Sequence, residues 1–183
     1  LDSPGSLPCC KISTFKPGKR ETGSITDMEQ VIYKIMFRSS YICAVGTDYM
    51  RVYDYTGAEQ ADQRVMVYGW YLESMDGSGD NPLMLFVPNN QSGESMRISD
   101  IRCIKDKDEY MLHFPVACTQ LKAFGDTVYG FSGDKLAVST YCSTASNLYA
   151  LPLSVSEVIG ITANRTAVVI SGNSIYMIKL PEK

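Results

Sequence analysis

One histidine and one tryptophan occur in 183 residues. A hydrolase built on a Ser–His or Cys–His pair therefore has a single place for its base, His113. No Gly-x-Ser-x-Gly turn presents a nucleophilic serine. No cysteines stand at the Cys-x-x-Cys or Cys-x-x-His spacing of a closed zinc site. Long apolar runs are missing too. The longest uncharged stretch, residues 136–156, is broken by eight Ser, Thr or Asn residues and by Pro152. A bilayer-crossing helix needs about 20 mostly apolar residues, so no membrane span is expected. Basic residues are few: 17 Lys and Arg against 20 Asp and Glu leave a net charge of −3. No positive field is there to displace counterions from nucleic-acid phosphates or to hold an anionic lipid surface. No window keeps a 3.6-residue apolar period, and only residues 27–33 and 57–62 read as short helices. No signal peptide is visible. A chain that begins at Leu1 reads as a processed or excised product, so secreted and intracellular sites stand level.

What the sequence does have is tyrosine, 12 residues against 6 Phe, a side chain suited to pleated, half-buried surfaces. Runs of five to nine residues rich in Val, Ile, Tyr, Met and Phe recur between Gly, Asp, Asn, Ser and Pro. They cover 31–37, 41–45, 49–55, 64–72, 83–87, 96–104, 110–114, 116–124, 127–131, 135–140, 147–151, 158–162, 167–171 and 174–180. The pattern predicts an all-β domain of about 12–14 short antiparallel strands over residues 30–183. Residues 1–29, with Pro, Ser and Gly followed by Lys11, Lys16, Lys19 and Arg20, read as an irregular N-terminal arm.

Four stretches share a Gly-led turn followed by a strand: Gly46-Thr47-Asp48, Gly79-Asp80-Asn81, Gly133-Asp134 and Gly172-Asn173. Glycine supplies positive φ there and Asp or Asn tolerates it, as a two-residue hairpin requires. Their glycines are 33, 54 and 39 residues apart, 42 on average. This texture resembles β-propeller blades of the WD-repeat kind. In that family a turn leads into a strand ending Trp-Asp, and Arg51-Val52-Tyr53-Asp54 is similar to it with Tyr in place of Trp. The last copy ends Ile178-Lys179-Leu180 without that pair, and no Gly-His pair occurs to complete the family's structural tetrad. The resemblance implies stacked blades, and four of about 42 residues stand at the lower limit for ring closure. A β-sandwich or partly closed barrel is the alternative.

Six cysteines, Cys9, Cys10, Cys43, Cys103, Cys118 and Cys142, permit three disulfides. Cys43, Cys103 and Cys118 fall in apolar runs, where free cysteine is a common small core residue. Asn90-Gln91-Ser92 and Asn164-Arg165-Thr166 are glycosylation sequons that a secreted chain could use.

Reactive constellations are thin. Alternation puts Met111 and His113 on one face of a strand and Tyr110, Leu112 and Phe114 on the other, so His113 reads as structural. Ser132-Gly133-Asp134-Lys135 has the Ser-x-x-Lys spacing but lies in an expected hairpin turn, not at a helix start. Residues 76–81 alternate oxygen donors as calcium loops do, yet Val87 stands where such a loop needs Glu, so no metal is expected.

The densest feature is aromatic. Alternation puts Tyr49, Arg51, Tyr53 and Tyr55 on one strand face, and Met66, Tyr68 and Trp70 together on the next strand. Tyr, Trp and Arg dominate binding hot spots because they bury much area with few rotors. The same rings also suit the interior of a Tyr-rich core. The leading expectation is a non-enzymatic recognition module, without cofactor, that meets a protein partner through Tyr49, Arg51, Tyr53, Tyr55, Tyr68 and Trp70. The alternative is a secreted, disulfide-stabilised glycoprotein domain, lectin-like, with glycans at Asn90 and Asn164. A carboxylate-dependent hydrolase comes third.

Overall fold

The computed structural model describes residues 10–15, 17, 18, 20–27, 30–77, 79–91 and 97–182. Over these residues the chain is all-β, with sixteen strands and two single-turn 3-10 segments. The strands form five antiparallel sheets, none closed into a barrel. The chain divides into two compact units, Leu1–Trp70 and Tyr71–Lys183.

The first unit opens with a hairpin where an irregular arm was expected. Strands β1 (Cys10–Phe15) and β2 (Glu21–Asp27) pair from Cys10 opposite Asp27 to Phe15 opposite Glu21. Pro17-Gly18 lies at its turn, and Gly18 takes φ 71. Proline presets the first turn residue and glycine supplies the positive φ of the second. A meander follows: β3 (Ile32–Phe37), β4 (Ile42–Gly46), β5 (Tyr49–Tyr53) and β6 (Val65–Met66), in that order. Every residue of β4 is buried, as in a strand covered on both faces. Buried Gln30 accepts the amides of Asp48 and Tyr49 through Oε1, at 3.1 and 2.7 Å, and so fixes the β4–β5 turn. A Cβ on Gly46 would lie 2.3 Å from the Gln30 side-chain amide, so a larger residue there must displace Gln30 from the turn it holds.

Neither expected helix forms as read. Residues 28 and 29 lie outside the described residues, while Ile32 and Tyr33 belong to β3. After β5 the Asp54 carboxylate accepts the amides of Thr56 and Ala58 at 2.8 and 3.0 Å, which turns the chain before helix can start. Only a 3-10 turn, Ala61–Gln63, follows.

The second unit contains three sheets. The first has the order β10-β9-β8-β7, from β7 (Trp70–Met75), β8 (Met84–Pro88), β9 (Ile98–Lys105) and β10 (Asp108–Cys118). The second joins β11 (Gln120–Phe124), β12 (Thr127–Thr140) and β13 (Ser146–Val155). The third joins β14 (Glu157–Ile161), β15 (Thr166–Ser171) and β16 (Ser174–Lys179). On β10, Leu112 and Phe114 are buried while Met111 and His113 face out, as alternation requires. Phe114 and Cys118 pack with Leu85, Ile101 and Leu121 in one core cluster, and Tyr129, Phe131, Val158 and Val169 anchor another.

The expected hairpin at Gly133-Asp134 is absent. β12 runs straight through it with a register shift between Gly133 and Lys135, and Gly133 takes φ 58. A left-handed glycine serves a bulge as well as it serves a turn, and the signals are alike in sequence. The Gly172-Asn173 turn does form, with Ser171 opposite Ser174 and Gly172 at φ 56.

The disulfide framework is not present among the described residues. Cys10, Cys43, Cys103, Cys118 and Cys142 are free thiols, and Cys9 lies outside the described residues. Burial pushes the Cys43, Cys103 and Cys118 thiols up to about 12 from an ordinary 9.0. In native protein, alkylation should therefore modify exposed Cys142 first and reach these three only after unfolding, a sequence that peptide mass mapping reads. The folded chain holds these protons to higher pH than the unfolded chain does. Their stabilising contribution is complete below pH 9 and is lost as pH rises from 9 to about 12. The denaturation midpoint should fall across that window.

Candidate functional site

The six residues read from the sequence as an aromatic face divide by burial: two are buried, two half-buried and two exposed. Arg51 and Tyr53 are buried, and Tyr53 packs with Ile25, Ile42 and Ala44. The Arg51 guanidinium lies 5.4 Å from the centre of the Tyr49 ring, and that of Arg64 lies 5.6 Å from it. Glu59 bridges the two arginines, 3.9 Å from Arg51 and 2.7 Å from Arg64. This stack explains how an arginine sits inside: its charge faces a carboxylate and its plane faces a ring. Tyr49 is half-buried beneath it.

Tyr68 and Trp70 do not share a strand with Met66. The expected strand 64–72 is interrupted at Gly69, φ 84, so β6 ends at Met66 and β7 starts at Trp70. Tyr68 stands in that turn, 74% exposed, and Trp70 is half-buried.

Tyr55 is the member of the set that reaches a groove. Its ring emerges beyond β5, 40% exposed, and its hydroxyl donates to the Arg38 carbonyl. Phe15 at the end of β1 and Phe37 at the end of β3 are 66% and 60% exposed beside it. Together with Ser13, Thr14, Thr22 and Thr56, these rings line a groove of about 700 Å³ within the first unit.

Close backbone approach builds the groove. A Cβ on Gly23 would lie 2.6 Å from the Tyr55 carbonyl, and one on Gly57 would lie 2.4 Å from the Ser24 carbonyl. Glycine at both sites lets β2 lie directly on the turn after β5. The Thr14 hydroxyl sits 3.4 Å from the Tyr55 carbonyl and 3.2 Å from the Thr22 hydroxyl. The Asp54 carboxyl, held below its usual range by hydrogen bonds from the Thr56 hydroxyl and from the Ala58 amide, locks the turn that presents Tyr55 and Thr56. Among the described residues the lining carries three rings and the hydroxyls of Ser13, Thr14, Thr22 and Thr56.

Reading residues 1–29 as an arm hides Phe15 and the hydroxyls of Ser13, Thr14 and Thr22, while Phe37 and Thr56 stand where a strand ends and carry no signal of their own. Pro17-Gly18 between Ser/Thr-rich runs was the available hairpin signal.

Elsewhere, His113 Nδ1 lies 2.8 Å from Asp100 Oδ1, a pair whose side chains are 68% and 50% exposed. Cys103 and Cys118 are fully buried, so neither thiol shares the exposed surface of His113. Among the described residues no three His, Cys, Asp or Glu side chains converge as metal ligands. The Asp76 carboxylate is buried and accepts the Gly125 amide at 3.1 Å. The sequon residues Asn90 and Asn164 are both exposed. Among the described residues no helix is long and apolar enough to cross a membrane.

Fold and groove together define an all-β protein of small antiparallel meanders with an open aromatic groove. No family model and no curated protein matches the chain. Among solved structures it is similar to Kluyveromyces lactis Hsv2, with a TM-score of 0.53 and 9% identity over 84% of this chain. It spans 49% of that chain's length, about half. At this identity the likeness is one of fold.

Proposed function

We propose that the chain is a non-enzymatic recognition module, a run of propeller-like blades, that binds an extended segment of a protein partner in the groove of Phe15, Phe37 and Tyr55. The observation that carries this reading is three large rings left exposed around one groove, where burial would otherwise stabilise each by about 1.5–3 kcal/mol. Aromatic-lined grooves take extended, proline-containing segments by ring contact while hydroxyls bond the peptide backbone. Meander sheets of three or four strands support the blade reading. Burial of the core thiols and exposure of the His113–Asp100 pair support a role without covalent catalysis. An oligosaccharide is the second reading, favoured by serine and threonine hydroxyls beside three rings.

Phe15→Ser and Phe37→Ser test it. Both side chains are exposed, so each variant should keep its stability within about 0.5 kcal/mol. Binding of fluorescent peptides selected from an extended proline- and aromatic-containing library should weaken at least about tenfold. Unchanged binding in both variants would remove the groove from the reading.

A further inference from the structure

The sheet of β14, β15 and β16 is apolar on both faces. Val158, Ala167 and Val169 face the core and are buried. On the opposite face, cross-strand register sets Val168 beside Met177 and Ile170 beside Ile175. Val168 and Ile170 are half-buried, but Ile175 is 67% exposed, Met177 70%, and Ile159 in the β14 bulge 53%.

A sheet with one wet face alternates apolar and polar residues, whereas a sheet covered on both sides reads as a continuous apolar run. Ala167-Val168-Val169-Ile170 and Ile175-Tyr176-Met177-Ile178 are continuous runs. Two other such runs are covered: every residue of β4 is buried, and so are Met84 to Val87 of β8. The outer face of β14–β16 has the composition of an interior surface without its burial.

We propose that this face docks the same face of a second copy of the chain, sheet on sheet. Charge complementarity favours a copy as occupant. The outer face carries Glu157 at one corner, in register with Ile170, and Lys179 at the diagonally opposite corner, in register with Thr166. A twofold stack sets each glutamate over the lysine of the other copy, with the apolar residues between them. The face is about three strands of six residues, near 20 by 14 Å, smaller than a standard interface, so the dimer forms by a concentration-dependent equilibrium.

Sedimentation velocity of the whole chain over about two decades of concentration tests this. A monomer–dimer equilibrium is expected. Met177→Lys should raise its dissociation constant at least about tenfold without changing the circular dichroism spectrum or the melt, since the side chain is exposed. If Met177→Lys disturbs folding, Ile175→Thr, which suits a strand, should weaken association in the same direction. Glu157→Lys should also weaken it, and the double exchange Glu157→Lys with Lys179→Glu should restore it. A wild-type chain monomeric throughout overturns the proposal, because the face is then either free or meant for a sheet of another polypeptide. Dimerisation untouched by Met177→Lys and Ile175→Thr overturns it too.

Discussion

Phe114→Ala should lower the stability of the second unit by about 3–5 kcal/mol, the cost of emptying a fully buried aromatic site. Phe114 is 1% exposed and packs in the largest core cluster, among Leu112, Cys118 and Leu121. Its ring also presses on the backbone: a Cβ on Gly130 would lie 2.7 Å from Phe114 Cε2 and 2.4 Å from Cys118 Sγ. Gly130→Ala should therefore destabilise by overpacking, by about 1–3 kcal/mol. The two changes should not add, because removing the ring takes away one of the atoms the new methyl strikes. Met111→Ala, on the exposed face of the same strand, should cost under about 0.5 kcal/mol. Urea denaturation of the three single variants and of the Phe114→Ala/Gly130→Ala double variant separates these outcomes. Equal losses for Phe114→Ala and Met111→Ala would contradict the burial pattern of β10.

Gly57→Ala should be the most damaging single change to the groove. Gly57 holds φ +95, a conformation costing an L-residue about 1–2 kcal/mol. The added methyl would also lie 2.4 Å from the Ser24 carbonyl, so β2 must move away from the turn that carries Tyr55 and Thr56. A total loss of about 3 kcal/mol in the first unit is expected. Ligand affinity should fall with it, since Thr14 and Thr22 stand on the displaced hairpin. Gly69→Ala is the control. Its φ of +84 is similar, but nothing lies within 4 Å of the added methyl, so only the backbone penalty should appear. Similar losses in the two variants would show that close approach of β2 contributes nothing.

Much of the fold is legible in the sequence for simple reasons. Val, Ile and Tyr runs bounded by Gly and Asx mark strands, and the turns at Gly46 and Gly172 form where the pattern places them. Period two also assigns the faces of β10 correctly. What period two lacks is the sign of a face. It groups Tyr49, Arg51 and Tyr53 correctly, but the sheet turns that group inward, where Glu59 and the Tyr49 ring compensate Arg51. Phe15 and Phe37 fail in the opposite direction: apolar residues at strand ends that remain outside. Gly133 shows a third limit, since one left-handed glycine fits both a hairpin turn and a bulge, and only strand pairing on either side distinguishes them. The hairpin of β1 and β2 was obscured by its lysines and prolines, which read as a solvated arm although Thr14, Gly23 and Ile25 carry its packing.

The central claim is that the chain recognises an extended protein segment through exposed rings held on a rigid groove. Chemical-shift mapping of isotope-labelled protein, titrated with the extended proline- and aromatic-containing peptides and separately with oligosaccharides, tests it most directly. The account predicts that peptides shift the resonances of Thr14, Thr22 and Thr56, that Phe37→Ser abolishes those shifts, and that signals of buried residues such as Val45 and Val87 stay in place. Shifts produced only by oligosaccharides, or peptide shifts that avoid all three threonines, would contradict it.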